Sequence, residues 1–227
     1  VPKKGGAFRL GLAGGGPTDG IDPGTLINSP AVVISHTFAN RLVGIPPSMI
    51  PEPELAESWE LNDTATTWTI NLRKGVVFHN GKEMNADDVI YSFNLHRGSE
   101  SKSAVRQQAA QIVEIKKLNS HQIQFILKAG NVDFAYLLAD RHFYIVPENF
   151  NEWTKPISTG PYVLEAYQAG VRAFATRNAN YWRNDRAHVD SVEMIILNDP
   201  TARMNAFVSG QVDVISWLEP KMIPMLG

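Results

Sequence analysis

A strand, a capped helix and a second strand follow one another in residues 192–215, which read VEMIILNDPTARMNAFVSGQVDVI. The first six residues are predominantly apolar, which is typical of a buried strand. Asp199 is a good helix N-cap, Pro200 suits the first helical position, and Gly210 suits the residue just after a helix end. Residues 212–215 then predict a second buried strand. Because a strand–helix–strand unit places its two strands parallel, this stretch predicts an α/β fold with a partly parallel sheet.

The beginning of the chain predicts a strand that runs into a flexible loop. Residues 7–12 alternate apolar with small or polar residues, as a strand does, and residues 13–20 are too rich in glycine to continue it. Residues 30–40 predict a short apolar helix with Ser29 as its N-cap. Residues 44–53 contain four prolines and predict an extended connector at a domain boundary.

The middle of the chain predicts a smaller α+β unit. Residues 67–72 alternate strictly, so Trp68 belongs on the buried face of a strand. Asn85 with Asp88 three residues later is an approximate capping box, which begins a helix. Residues 112–117 and 123–127 predict a second strand pair, and residues 132–140 a short buried helix.

Composition excludes several classes of function. The 227 residues are 44% hydrophobic and 19% charged, with a formal charge of -2 and no cysteine. The near-neutral charge argues against nucleic acid, whose phosphates are bound by many Lys and Arg side chains. The lack of cysteine excludes disulfides and Cys-ligated metals. No stretch approaches the ~20 apolar residues that a membrane-spanning helix needs.

Catalytic and metal-binding motifs do not occur in the sequence. There is no G-x-S-x-G, no H-E-x-x-H and no phosphate loop, and the six histidines share no metal-ligand spacing. Asp19 stands where the last glycine of a dinucleotide-binding loop belongs. Asp87 and Asp88 face different directions on a helix, which favours stabilisation of the helix N-terminus over acid–base chemistry. Trp217 follows a predicted strand end, where ligands of open α/β sheets collect.

Several segments, in order along the chain, together resemble the extracellular solute-binding proteins of family 5. These segments are LAESWE at 55–60, TWTINLRKGVVFHNG at 67–81, NADDVIYSF at 85–93, STGPY at 158–162, RNANYW at 177–182, DPTAR at 199–203 and SGQVDVI at 209–215. The resemblance implies one lobe of a type II periplasmic-binding-protein-like fold. Residues 1–43 and 157–227 are expected to form this sheet-bearing lobe, with a mixed sheet, and residues 44–156 an inserted α+β subdomain. The resemblance covers about the first half of a family member, so the chain is expected to end before the second lobe.

The same resemblance implies a function in import. The chain is expected to belong to a bacterial ABC importer, as the subunit that captures a solute between two lobes and delivers it to membrane permease subunits, and the expected solute is an oligopeptide. It is then expected on the periplasmic or extracellular face of the cytoplasmic membrane, with no catalytic residue, no metal and no cofactor. A single lobe retains half of the contacts, so it is expected to bind solute weakly or not at all.

Eight residues are expected to face the cleft. They lie in the glycine-rich loop, before the strand that begins near residue 161, and after the last strand: Thr18, Asp19, Gly20, Ser158, Thr159, Gly160, Ser216 and Trp217. The backbone of an extended loop can pair with a peptide as an added strand, while hydroxyl and carboxylate groups orient its polar ends. For Thr18 and Asp19 an Asx-type turn is an equally good interpretation.

Three groups of alternatives stay open at this point, and one of them is a structural or docking module that contacts the permease without solute. Relatives of this family carry nickel chelates, haem, opines or oligosaccharides, so the solute is not fixed. A different class of protein, a small α/β hydrolase or transferase, is disfavoured by the missing nucleophile–base motif.

Overall fold

The computed structural model describes residues 3–226, which form eleven strands and five α-helices. The elements in chain order are β1 Ala7–Leu12, α1 Ser29–Phe38, β2 Val43–Gly44, β3 Glu52–Pro53, β4 Ala56–Leu61, β5 Thr67–Leu72, α2 Ala86–Asn94, α3 Arg106–Ala109, β6 Ile112–Asn119, β7 Gln122–Leu127, α4 Phe134–Leu138, β8 Tyr162–Gln168, β9 Arg172–Arg177, β10 Ser191–Ile196, α5 Pro200–Val208 and β11 Val214–Ile215. Short 3-10 helices occupy Pro23–Thr25 and Pro220–Leu226. In this described part, no helix is long and apolar enough to cross a membrane.

A mixed five-stranded sheet joins the two ends of the chain in the order β11-β1-β10-β9-β8. Strand β1 lies parallel to both β10 and β11, with Ala7 opposite Ser191, whereas β9 is antiparallel to β10 and β8. The predicted strand–helix–strand unit is therefore confirmed, and its helix α5 carries the chain across β1. The first strand of the chain thus occupies the middle of the parallel part of the sheet.

Strand β11 is shorter and more exposed than predicted. It covers only Val214–Ile215, and Val214 is exposed, so the prediction of a buried strand over residues 212–215 was wrong. The reason lies at Asp213, whose carboxylate Oδ2 accepts the backbone N–H of Arg9 at 2.8 Å. A side chain thus takes the donor that a longer ladder would bond to a backbone carbonyl.

The second sheet is antiparallel and has the order β4-β5-β7-β6. The buried face of β5 carries Trp68, Ile70 and Leu72, each at most 2% exposed, as the alternation predicted. Strands β2 and β3 form a separate two-stranded hairpin within the proline-rich segment. The hydrophobic cluster under the second sheet draws mainly on residues 42–145.

Side chains at the helix N-termini determine where the helices begin. Asn85 and Asp88 form the predicted capping box of α2, and the Oδ1 of Asp199 accepts the N–H of Ala202 at 2.7 Å in α5. Helix α1 differs by one residue from the prediction, because Asn28 rather than Ser29 is its cap. Asn and Ser are equally good caps, so the local sequence does not distinguish the two positions.

An extended segment at residues 143–146 forms a wall between the two hydrophobic cores. Phe143 and Ile145 belong to the cluster under the second sheet, and Tyr144 and Val146 belong to the cluster under the first. All four side chains are at most 1% exposed. Because alternate side chains of an extended chain point in opposite directions, one segment serves both cores.

Candidate functional site

The carboxyl ends of three parallel strands meet at one edge of the first sheet. Strand β1 ends at Leu12, β10 at Ile196 and β11 at Ile215, and each continues into a loop at that edge. In open α/β sheets such an edge is where ligands bind, because the loops leaving adjacent strands converge there. We refer to Thr18, Asn198, Ser216, Trp217 and the backbone of residues 13–16 as the strand-end surface.

Hydrogen bonds between side chains and backbone join the three loops of this surface. The Oγ of Ser216 accepts the N–H of Ala13 at 3.0 Å. Asn198 holds the same loop from the other side, since its Oδ1 accepts the N–H of Gly14 at 2.9 Å and its Nδ2 donates to the carbonyl of Gly15 at 2.8 Å. The loop after β1 is therefore fixed between the ends of β10 and β11.

A buried arginine of α5 supports the strand-end surface from below. Arg203 is 2% exposed, and its guanidinium donates to the carbonyls of Leu197 at 2.6 Å, Asn198 at 3.2 Å and Trp217 at 3.0 Å. A rigid guanidinium fork with several donors can satisfy carbonyls from two separate chain segments at once. Sequence reasoning missed Asn198 and Arg203 as site residues. The one signal was their position, directly after a buried strand and in the first turns of the following helix.

Two glycines allow the loop after β1 to lie close to its neighbours. A Cβ on Gly15 would come within 2.9 Å of the Ile196 side chain. A Cβ on Gly170, in the turn between β8 and β9, would come within 2.6 Å of the Gly16 backbone, and the φ of Gly170 is +68°. Gly170 thus needs to be glycine, a side chain at Gly15 would require Ile196 to shift, and the hairpin turn packs directly on the loop.

The predicted residues in the glycine-rich loop form a tight turn. Asp19 Oδ2 accepts the N–H of Gly16 at 2.6 Å, and the carbonyl of Asp19 accepts the Tyr167 hydroxyl at 2.9 Å. The carboxylate therefore closes its own turn, which is the local role that the sequence left open beside ligand contact. Thr18 is exposed at the tip of this turn, and Gly20 is half-buried after it.

The predicted residues of the 158–160 segment lie inside the protein. Ser158 and Thr159 are fully buried, and their hydroxyls donate to the carbonyl of Ile145 and to Oδ1 of Asn40. A Cβ on Gly160 would lie 2.2 Å from the backbone of Phe38. These hydroxyls stabilise the junction of α1 with the 143–146 wall, and no part of either side chain reaches solvent. We therefore leave this segment out of the strand-end surface.

The predicted pair after the last strand is exposed. Trp217 is 65% exposed, which is unusual for an indole because its apolar area favours burial. Its backbone is held by Arg203, so the side chain projects from a fixed position. Ser216 is exposed as well, and its N–H donates to the carbonyl of Gly11 at 2.9 Å. The structure thus brings Thr18, Ser216 and Trp217 to one edge of the sheet and separates them from the 158–160 segment.

An apolar cavity of about 580 Å³ lies away from this edge. Its walls include Phe8 and Val192, near the amino-terminal ends of β1 and β10, and Val33 of α1. None of the eight predicted site residues lines it. Within residues 3–226, no group of three or more His, Asp or Glu side chains is arranged to hold a metal ion.

Comparisons with known proteins give the same fold and place the chain in a family. A sequence model described as "Bacterial extracellular solute-binding proteins, family 5 Middle" matches residues 51–227. The nickel-binding periplasmic protein of Escherichia coli K12 is 32% identical over 171 residues, which are 72% of this chain and 32% of that protein. The di/tripeptide-binding protein 3 of Pseudomonas aeruginosa UCBPP-PA14 is 28% identical over 192 residues, which are 71% of this chain and 36% of that protein.

A solved structure extends the likeness over nearly the whole chain. The periplasmic binding protein AgaA from A. tumefaciens R10, in complex with agropinic acid, matches with a TM-score of 0.89 and 24% identity, over 97% of this chain and 45% of that chain. This likeness confirms the predicted fold, an α/β lobe with a mixed sheet of the type II periplasmic binding proteins. The chain spans from a third to less than half of the length of the proteins that it matches. It belongs to the bacterial extracellular solute-binding proteins of family 5.

Proposed function

We propose that this chain supplies one side of the binding cleft of an oligopeptide-binding subunit of a bacterial ABC importer. The observation that carries the proposal is the strand-end surface, where fixed loops, an exposed indole and two hydroxyls meet at the carboxyl ends of three parallel strands. Relatives named as di/tripeptide-binding proteins support the choice of a peptide.

The contacts suit a ligand that is recognised mainly through its backbone. The N–H groups of Ala13, Gly14 and Gly16 are bonded within the protein, so the loop after β1 offers mainly carbonyl groups. Thr18 and Ser216 add hydroxyls at its borders. The indole ring of Trp217 offers a flat apolar surface on which a side chain of the solute can pack. Such a surface discriminates by length and backbone more than by side chain.

In this proposal the chain works by closure and handover. Residues 1–43 with 157–227 form the ligand-facing lobe, and residues 44–156 form a subdomain attached to it. A peptide that bridges this lobe and a second one favours the closed state, because it binds that state better, and the closed form is presented to the permease. The protein then acts outside the cytoplasmic membrane and binds its solute without transforming it.

The test is a titration of the chain with a mixture of di- and tripeptides, monitored in ¹H–¹⁵N spectra. We expect weak, saturable shifts at the Trp217 indole and at the amides of Ala13, Thr18 and Ser216. Trp217→Ala should weaken the peptide affinity reported by the three amides about tenfold, since removing an exposed aromatic contact costs on the order of 1.4 kcal/mol. Val132→Ala, a truncation of another exposed apolar side chain (72% exposed), is the matched control.

Three results would refute the proposal. Tight binding by the chain alone would contradict the need for a second lobe. Saturable shifts with nickel or agropinic acid, but not with peptides, would mean that the solute is nickel or agropinic acid and not a peptide. Turnover of any added peptide would mean that the protein is a hydrolase.

A further inference from the structure

A second, polar cavity lies between the end of α1, the β2–β3 hairpin and residues 181–187. Its volume is about 420 Å³, within the range of small-molecule sites. Its charged lining residues are Arg41, Glu52, Glu54, Arg183 and Arg186. It shares no lining residue with the strand-end surface, so binding in this cavity is independent of the proposed function.

Arg41 carries a guanidinium nitrogen that the described residues leave without an acceptor. Its side chain is 12% exposed, and its Nε is buried with no hydrogen-bond partner. The Oε2 of Glu54 lies 3.8 Å from that Nε, which is beyond hydrogen-bonding distance. Buried donors are almost always paired, and an unpaired cationic one is costly. Since this Nε is closed off from solvent, a ligand in the cavity would meet the guanidinium at its terminal nitrogens, which form no hydrogen bond with any residue between 3 and 226.

Glu54 cannot supply this acceptor because its carboxylate is engaged elsewhere. Its Oε1 accepts Nδ2 of Asn40 at 2.6 Å, and its Oε2 accepts the backbone N–H of Arg41 at 3.1 Å. Burial raises the pKa of Glu54, which further weakens it as a counter-charge. Asn40 is itself fixed, since its Oδ1 accepts the Thr159 hydroxyl and its Nδ2 also donates to the Tyr181 hydroxyl. The side chains beside Arg41 in the cavity are thus held in place before any ligand binds.

A free carboxylate lines the same cavity. Glu52 is exposed and forms no ion pair or side-chain hydrogen bond with any residue between 3 and 226. The other cations are less available than Arg41, because Arg183 donates to Asp185 at 2.6 Å and Arg186 is 62% exposed with Asp185 at 3.8 Å. The cavity therefore combines a guanidinium and a carboxylate whose side chains form no hydrogen bond with any residue between 3 and 226.

We propose that this cavity binds a zwitterionic α-amino acid, with its carboxylate on Arg41 and its ammonium group toward Glu52. A carboxylate matches the guanidinium in geometry and charge. A dianion such as phosphate would match Arg41 equally but would be repelled by the free carboxylate of Glu52, which attracts the ammonium group of a zwitterion.

The test uses L-alanine, propionate, ethylammonium and inorganic phosphate as probes of the whole chain in ¹H–¹⁵N spectra. Propionate lacks the ammonium group of alanine, and ethylammonium lacks its carboxylate. We expect saturable shifts of the Arg41 Nε–H and the Gly44 amide, with alanine binding more tightly than propionate, and with no saturable effect of ethylammonium. Phosphate binding as tight as that of alanine would overturn the choice of a zwitterion.

Three variants locate the contacts. Arg41→Gln should abolish the shifts with both alanine and propionate. Glu52→Gln should weaken alanine about fivefold and leave propionate unchanged, because a single exposed ion pair contributes up to about 1 kcal/mol. Arg172→Gln, at an exposed arginine outside the cavity, should change neither.

The Glu52 variant keeps the proposal falsifiable even if Arg41→Gln fails to fold. Glu52 is exposed and has no side-chain bond within the described chain to lose, so its replacement leaves the fold intact. If alanine produces no saturable shift, water completes the Arg41 guanidinium and the proposal is wrong. If Glu52→Gln weakens the binding of alanine and of propionate alike, Glu52 does not contact the ammonium group and the proposal is also wrong.

Discussion

Replacing Arg203 by methionine should loosen the strand-end surface and destabilise the protein. Methionine keeps much of the side-chain volume of Arg203 but removes the donors to the carbonyls of Leu197, Asn198 and Trp217. Each buried acceptor left without a partner costs about 1–3 kcal/mol. Since solvent can reach some of the freed carbonyls, we expect a loss of about 3–5 kcal/mol in the free energy of unfolding.

Two measurements test this prediction: urea unfolding gives the free energy of unfolding, and hydrogen exchange is then measured on the folded variant. The amides of Ala13 and Ser216 should exchange faster in Arg203→Met, because the loops that hold them lose their common anchor. Arg172→Met is the control: it removes the same group from the same lobe, but at a position that is 56% exposed with its carboxylate partner 3.6 Å away. It should cost about 0.5 kcal/mol or less. A loss below about 1 kcal/mol in Arg203→Met, or an equal loss in the control, would refute the assigned role.

Three further changes test other parts of the fold by chemical denaturation. Gly160→Ala places a Cβ 2.2 Å from the backbone of α1 and should lower the free energy of unfolding by at least ~3 kcal/mol. Gly44→Ala is the control, because its nearest contact lies at 3.9 Å, and it should cost about 0.5 kcal/mol. Equal losses would contradict the close packing at Gly160. Burial lowers the pKa of His96 to about 4, below its unfolded value near 6.5, so its contribution is complete above pH 6.5 and is lost as the pH falls toward 4. We therefore expect about 2 kcal/mol less stability at pH 5 than at pH 7 from this group, and His96→Gln should flatten the profile by that amount; an unchanged slope would rule the group out. Asp88→Asn should lower the free energy of unfolding by about 2 kcal/mol, because it removes the buried carboxylate that caps α2 and forms an ion pair. Asp87→Asn, at an exposed ion pair, should lower it by about 0.5 kcal/mol or less. Similar losses in the two variants would exclude a special role of the buried carboxylate.

Local signals in the sequence predicted the elements well. The caps at Asn85 and Asp199 and the alternation around Trp68 depend on residues within one or two turns of one another, so they can be identified without the tertiary structure. The order of the strands depends on distant partners. Nothing near Ala7 indicates that its strand lies between two strands that begin about 180 residues later or more.

The candidate site shows the same difference between features that depend on nearby residues and features that depend on distant ones. Trp217 and Ser216 were identified because a strand end is a local feature, and the structure places both at the strand-end surface. Ser158 and Thr159 have the same polar, small character, but their hydroxyls bond Ile145 and Asn40, which are 13 and 119 residues away. Only the tertiary structure distinguishes a hydroxyl that points inward from one that points outward.

The central place of β1 determines the order in which this protein can fold. Its hydrogen-bonding partners begin at Ser191, so the amino-terminal strand waits while about 180 further residues are synthesised, roughly 10–40 s at typical rates of translation. The antiparallel sheet of residues 56–127 needs no such partner and can form first. A newly made chain therefore carries β1 unpaired until the residues of β10 have been synthesised, and it stays open to holding factors for that whole interval.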